Sequence, residues 1–425
     1  MRKQHYLYNY VVSVQHFLRS LSPNSIRMQK YIAIMHRLTA ACSIEKIRYL
    51  YHQIDWNQRL IGILGARGAG KTTLMLQYIK LNFLKNEDVL YLSLDRVFPP
   101  DFSIYQLAEQ FYMQGGRHLL LDEVHKYPGW TVEIKNIYDD FPALKLVFSG
   151  SSALLLHRSE ADLSRRASMY HLRNLSFREF ILFKSGFRFE PYGLQEILET
   201  HVKLANEINQ KIRPVQLFQE YTKFGAYPYY FENASLYHDR VMATVKTIIE
   251  TDFPAITSFN YSSVVAIQKL LSFIADSVPF KPNMAELSRK TGISRDVLLR
   301  MIDLLLRADL LLVLRQKSTP TGYFTKPDKI YLHNSSLAWA LSQTNEPDIG
   351  NIRETFFINQ LDGIHQLSLP DSADFFVDNK YLIEIGGSNK TRKQLQKAEN
   401  AFVIRDQIET GYSNIVPLWL FGFLY

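Results

Sequence analysis

Two short stretches carry residues that can do phosphate chemistry together. GARGAGKTT (65–73) places Gly65, Gly70, Lys71 and Thr72 in the spacing G-x-x-x-x-G-K-[ST], with a further Gly68 inside the loop. Glycines let a backbone wrap closely around a phosphate, so the amides of Gly65, Ala66, Arg67, Gly68, Ala69, Gly70, Lys71, Thr72 and Thr73 are expected to face one. Lys71 is then placed for the β- and γ-phosphates of a nucleotide, and the Thr72 hydroxyl for Mg²⁺. RHLLLDEVHK (117–126) supplies the rest: an apolar run that ends in Asp122 and Glu123. Consecutive carboxylates at a strand end divide the work. Asp122 is expected to hold Mg²⁺ through water, and Glu123 to orient or deprotonate the attacking water. The implied ligands are ATP and Mg²⁺.

A second acidic pair lies near the end of the chain, in DFFVDNKYLIEIGG (374–387). Asp374 and Glu384 fall on two strands that a turn at Asp378–Asn379–Lys380 would join, and Glu354 on the preceding helix is placed to reach the same centre. Two carboxylates suffice for Mg²⁺ when waters complete its shell. A metal-dependent nuclease also wants a lysine two residues after the glutamate, and here that residue is Gly386. Lys380, Lys390 and Lys393 are the substitutes considered. A degenerate centre that binds or docks fits the residues better than one that cuts.

These side chains need a frame. LIGIL (60–64), DVLYLSLD (88–95), the LLLD run, KLVFSGSS (145–152) and SMYHLRNL (168–175) read as five strands separated by helical stretches. That alternation predicts an α/β fold with a parallel sheet and crossover helices. The extra strand between the phosphate loop and the Asp122–Glu123 pair resembles the AAA-type branch of P-loop proteins, and that resemblance implies that Ser149, with Ser151 second, at the end of the fourth strand senses the γ-phosphate or positions water. From 187 to 262 the pattern is helical, with a long helix over 194–212. MAELSRKTG and SRDVLLRMIDLLLR (284–307) then predict a helix-turn-helix with Gly292 as stop and Ser294 as cap, followed by a wing strand in ADLLLVLR. The N-terminal residues of its second helix, Ser294, Arg295 and Asp296, include an acid that suits a phosphate backbone poorly, so a structural role is favoured over groove reading.

In one order, the stretches GARGAGKTT, LDEVHKYPGW, FSGSSALLL, LSFREF, KIYLHNSSLAWAL and DFFV…YLIEIGG resemble a prokaryotic family of AAA-type P-loop ATPases. Its members carry a winged-helix segment and a C-terminal restriction-endonuclease-like domain of uncharacterised function. The resemblance implies an ATPase whose Arg165 or Arg166, just before the fifth strand, reaches the γ-phosphate of a neighbouring subunit in a homo-oligomer. It implies boundaries at 1–50 for a basic extension and lead-in helix, 51–186 for the ATPase core, 187–262 for a helical lid, 263–320 for the winged helix and 321–425 for the nuclease-like domain. The reading favoured is ATP hydrolysis coupled to rearrangement of the later domains. ATP-gated DNA binding or cleavage and a non-catalytic, nucleotide-dependent switch with a protein partner are the alternatives. A helicase, suggested only by DEVH, lacks a second motor domain.

Composition sets outer bounds. A chain of 425 residues is long for a single core. Its 49 basic and 41 acidic residues give a net charge of +8, compatible with a phosphate-bearing partner without amounting to a polybasic protein. One cysteine, Cys42, rules out an internal disulfide and a cysteine-based zinc cluster, which suits a reducing cytoplasm. No uninterrupted apolar run approaches membrane-spanning length. The first acid is Glu45, and the segment before it lacks a signal-peptide core, so an upstream extension with Met28 or Met35 as the start is expected.

Overall fold

A computed structural model describes residues 23–83, 88–151, 163, 165–256, 261–276, 282–316, 326–342, 346–389 and 400–425. The chain separates into two compact units. One comprises the described parts of 1–64, 71–150 and 158–171. The other comprises the loop 65–70, residue 151 and the described parts of 172–425.

The first unit is built on five strands: β1 (Leu60–Gly65), β2 (Val89–Ser93), β3 (His118–Asp122), β4 (Lys145–Ser151) and β5 (Ser168–His171). Their order in the sheet is β2-β3-β4-β1-β5. The pairings β2/β3, β3/β4 and β1/β5 are parallel. Continuous apolar runs suit strands covered on both faces. Leu60, Ile61, Ile63, Leu90, Leu92, Leu119, Leu120, Leu121, Leu146 and Phe148 are all buried. Helices Lys71–Asn82, Ile104–Met113 and Trp130–Asp140 make the crossovers. The second begins where the Ser103 hydroxyl accepts from the Gln106 amide at 3.2 Å, satisfying an otherwise orphaned donor. Parallel strands end on one side of a sheet, so Gly65, Asp122 and Ser149 are delivered to the same edge by β1, β3 and β4. The α/β reading with a parallel core is the fold observed. The helix Pro23–Ala41 precedes this sheet and buries Met28 and Met35, while the expectations for residues 1–22 lie outside the described residues.

The second unit opens with helix Phe177–Ser185, whose Ser176 and Glu179 form a reciprocal capping box and whose end is set by Gly186 at φ 77°. The helix expected over 194–212 runs Leu194–Asn209 and bends at Thr200. Helix Tyr237–Thr247 passes through a π-turn, Ile248–Asp252, into a short helix Phe253–Ile256. The helix-turn-helix is present as Met284–Thr291 and Arg295–Arg307, with Gly292 in the left-handed conformation at φ 76°. Ser294 stands at the cap position, yet its side chain makes no capping bond; only its carbonyl receives Leu298 N, at 3.0 Å. The first of the two helices is capped by Asn283, which accepts from Ala285 N and Glu286 N.

Strand β6 (Leu311–Leu314) pairs antiparallel with β7 (Lys329–Leu332), so one two-stranded sheet lies on both sides of residue 320. The last five strands, β8 (Leu367–Ser368), β9 (Phe375–Val377), β10 (Tyr381–Gly386), β11 (Ala401–Arg405) and β12 (Ile415–Pro417), form a mixed sheet in the order β12-β11-β10-β9-β8. β9 and β10 make the hairpin read from the sequence, joined through Asp378, Asn379 and Lys380, with Asp378 and Asn379 both at positive φ and Lys380 N donating to Val377 O at 3.0 Å. Helix Ile349–Leu361 packs Phe356, Phe357 and Leu361 into the same core as Phe375, Ile383, Trp419 and Phe421. Among the described residues no helix is long and apolar enough to cross a membrane.

Candidate functional site

In the first unit the catalytic candidates gather at the ends of β3 and β4. Lys71 and Thr72 open the helix that follows the glycine loop, and Lys71 is buried. The Thr72 hydroxyl donates to Asp122 Oδ2 at 2.6 Å. Asp122 is only 2 % exposed, and a buried carboxylate must have its lone pairs satisfied. Two further hydroxyls do so. Tyr91 donates to Oδ2 at 2.7 Å, and Ser149 donates to Oδ1. Burial and the neighbouring Asp122 charge hold the Tyr91 hydroxyl far above the usual tyrosine range, so it remains a donor. Tyr91 was missed in the sequence. The available signal was a phenol inside a strand covered on both faces, where its hydroxyl needs a partner.

Ser149 has a second task. Its oxygen accepts the amide of Glu123 at 3.1 Å. Glu123 occupies the left-handed region at φ 55°, an uncommon conformation for a side-chain-bearing residue and one that tends to be maintained at functional sites. Its carboxylate keeps some exposure, 21 % of the side chain, and lies 3.3 Å from Nε2 of the buried His125. Thus Asp122 is enclosed and fixed, while Glu123 is turned out of the strand and left accessible.

The glycine loop follows β1 directly. At Gly65, with φ 150°, a Cβ would collide with the carbonyl oxygen of Leu172. At Gly68, with φ 84°, a Cβ would come within 2.9 Å of the Tyr229 ring. Both positions therefore need glycine for backbone conformation and for space. Between them Arg67 donates from Nη1 to Asp252 Oδ2 at 3.4 Å; Asp252 is a wholly buried carboxylate set by the π-turn. That partner had no sequence signal. The donor set of ammonium, hydroxyl and fixed carboxylate at Lys71, Thr72 and Asp122 fits a phosphate-bearing ligand with Mg²⁺.

Other expected residues are placed as follows. Ser151 is buried. Arg166 makes a paired contact with Asp139, Nε to Oδ1 and Nη2 to Oδ2, each at 3.1 Å, while Arg165 is exposed. Asp374 stands one residue before β9, where its amide donates to the Ile383 carbonyl of β10 at 3.1 Å, and Glu384 is the next residue on β10. Glu384 is buried. Asp374 Oδ2 accepts Ile385 N at 2.8 Å, and its Oδ1 lies 3.7 Å from Lys329 Nζ. Lys329 also donates to Glu354 at 3.2 Å. The lysine at this centre is thus Lys329, which no spacing pointed to. Lys380 is exposed and lies against the Tyr381 ring, and Lys390 and Lys393 fall outside the described residues. Among the described residues no three His, Cys, Asp or Glu side chains converge so as to hold a metal ion.

A five-stranded sheet in the order β2-β3-β4-β1-β5, a glycine loop after β1 and an enclosed aspartate at the end of β3 are the arrangement seen here. Residues 57–181 match the family described as an AAA domain, and residues 215–348 match a domain of unknown function, DUF8612. The uncharacterized protein MJ1637 of Methanocaldococcus jannaschii is 25% identical over 405 residues, which cover 86% of this chain and 85% of that one. Similar solved structures include the Aeropyrum pernix ORC1 protein in complex with DNA, at 12% identity and a TM-score of 0.32, covering 73% of this chain and 91% of that one. AMPPCP-bound DnaA from Aquifex aeolicus has 14% identity and a TM-score of 0.25, covering 64% and 86%.

Proposed function

We propose that the chain binds ATP with Mg²⁺ and hydrolyses it, and that nucleotide state controls its helical, helix-turn-helix and C-terminal segments. The observation that carries this reading is the Thr72–Asp122 hydrogen bond of 2.6 Å, which brings the two metal-binding groups together. Lys71 would hold the phosphates, and Thr72 and Asp122 the metal. Bound Mg²⁺ supplies charge neutralisation on the phosphate oxygens. Glu123 accepts the proton of the attacking water, and Ser149 sets its direction by holding the Glu123 amide. Steady-state ATPase assays test this: Lys71→Ala abolishes nucleotide binding, while Glu123→Gln still binds and turns over about 10²–10⁴-fold more slowly. Equal rates for wild type and Glu123→Gln would remove Glu123 from the mechanism.

A second reading, ATP-gated DNA binding, draws on the helix-turn-helix, where Arg289, Arg295 and Arg300 are all exposed. Duplex affinity that falls steeply with salt supports it. An ATPase rate unchanged by DNA, with no measurable binding at low salt, ends it. Arg165 is the exposed member of its pair and the one suited to a neighbouring subunit in a homo-oligomer. A mass that remains monomeric with ATP bound removes that role.

A further inference from the structure

We propose that Lys329 is the resident cation of the carboxylate centre formed by Glu354 and Asp374, standing where a divalent ion would otherwise bind, so that this centre secures the fold and cuts no nucleic acid. Three separate elements meet here: Lys329 on β7, Glu354 on helix Ile349–Leu361, and Asp374 at the entry to β9. The Lys329 ammonium is 3.2 Å from Glu354 and 3.7 Å from Asp374, and its side chain is 5 % exposed. Tyr331 shares the inward face of β7, as the two-residue period of a strand requires, and donates to the same Glu354 oxygen at 2.7 Å. The remaining Asp374 oxygen is taken by Ile385 N at 2.8 Å.

Glu354 Oε2 and both Asp374 oxygens are therefore already engaged, by one ammonium, one phenol and one amide. A lysine serving a cutting centre must stand beside the reacting phosphate. This one lies between two acids, with little surface for a phosphodiester to reach. Burial and the Asp374 charge raise the Glu354 carboxyl above its usual range despite Lys329. The carboxylates themselves are of the type that takes Mg²⁺ or Mn²⁺, so deleting the ammonium should uncover a site.

Full-length, nucleotide-free protein tests this with Mn²⁺ uptake followed by electron paramagnetic resonance. Wild type and Asp374→Asn are expected to take up Mn²⁺ equally. Lys329→Ala is expected to bind an additional Mn²⁺, and Lys329→Ala with Asp374→Asn to lose it again. The apparent melting midpoint of Lys329→Ala should fall on the order of 10 °C and recover as Mn²⁺ is added. If that variant does not fold, Lys329→Met, which keeps the stem, replaces it, and the comparison of wild type with Asp374→Asn still decides. Mn²⁺ bound by wild type but not by Asp374→Asn overturns the proposal. So does Mn²⁺-dependent plasmid nicking that Asp374→Asn abolishes, or a folded lysine variant that gains no metal.

Discussion

The chain carries two acidic centres, one at the end of β3 and one between a helix and the start of β9, and they are compensated in different ways. Asp122 receives its hydrogen bonds from the neutral hydroxyls of Thr72, Tyr91 and Ser149. Glu354 and Asp374 share the ammonium of Lys329. Hydroxyl donors fix a carboxylate in position and leave its formal charge in place, which is what an incoming divalent cation needs. An ammonium fixes and neutralises together, so the centre is complete when the chain folds. Similar residue types therefore lead to different outcomes, and the counter-charge decides which.

The largest test of that contrast substitutes an aspartate in each centre. Asp122→Asn should lower ATP turnover about 10²-fold or more while leaving the melting midpoint within a few degrees, because the lost charge serves the metal and phosphates. Asp374→Asn should do the reverse, keeping turnover within about twofold and lowering stability by roughly 3 kcal/mol, since it leaves Lys329 with an incomplete partner set. Parallel ATPase assays and denaturant melts read both. Turnover lost equally in both variants would break the distinction.

A smaller effect is expected for Tyr91→Phe. Removing a hydrogen bond to a buried charged group should cost about 1.5–3 kcal/mol and weaken the proposed hold on Mg²⁺, seen as a higher Mg²⁺ concentration for half-maximal turnover. A variant equal to wild type in both respects would take Tyr91 out of the site.

The smallest effect concerns pH. Glu354 binds its proton more tightly in the folded chain than in the unfolded one, so the folded state holds more protons as pH rises above the ordinary glutamate value of 4.5. Stability contributed in that window is present at the lower pH and is lost as pH rises through the folded value. Glu354→Gln should flatten the slope, measured as melting midpoints between pH 4 and 7. An unchanged slope would show that Glu354 titrates normally and that Lys329 compensates both acids.

Much of the first centre was legible because its parts lie in local motifs. Gly65, Gly68, Gly70, Lys71 and Thr72 are contiguous, Asp122 and Glu123 are adjacent, and strand periodicity places each group at a strand end. Tyr91 and His125 escaped notice because a tyrosine in an apolar strand and a histidine after a loop look like ordinary packing. The hairpin at Asp378–Asn379 was also legible, since both residues tolerate positive φ. Ser294 was read as a capping residue from type and position alone, yet its side chain does not make the bond.

By itself the sequence determined the local devices: the glycine loop, the paired acids, the strand-and-helix alternation and the turn residues, all of which act within a few neighbours. Tertiary structure alone decided the pairings across long separations. Arg67 finds Asp252 across 185 positions, Tyr91 finds Asp122 across 31, and Lys329 finds Glu354 across 25. Burial supplies the reason: a charged or phenolic group withdrawn from water must take whichever partner the packed elements bring within hydrogen-bond reach, and sequence spacing does not record which elements those will be.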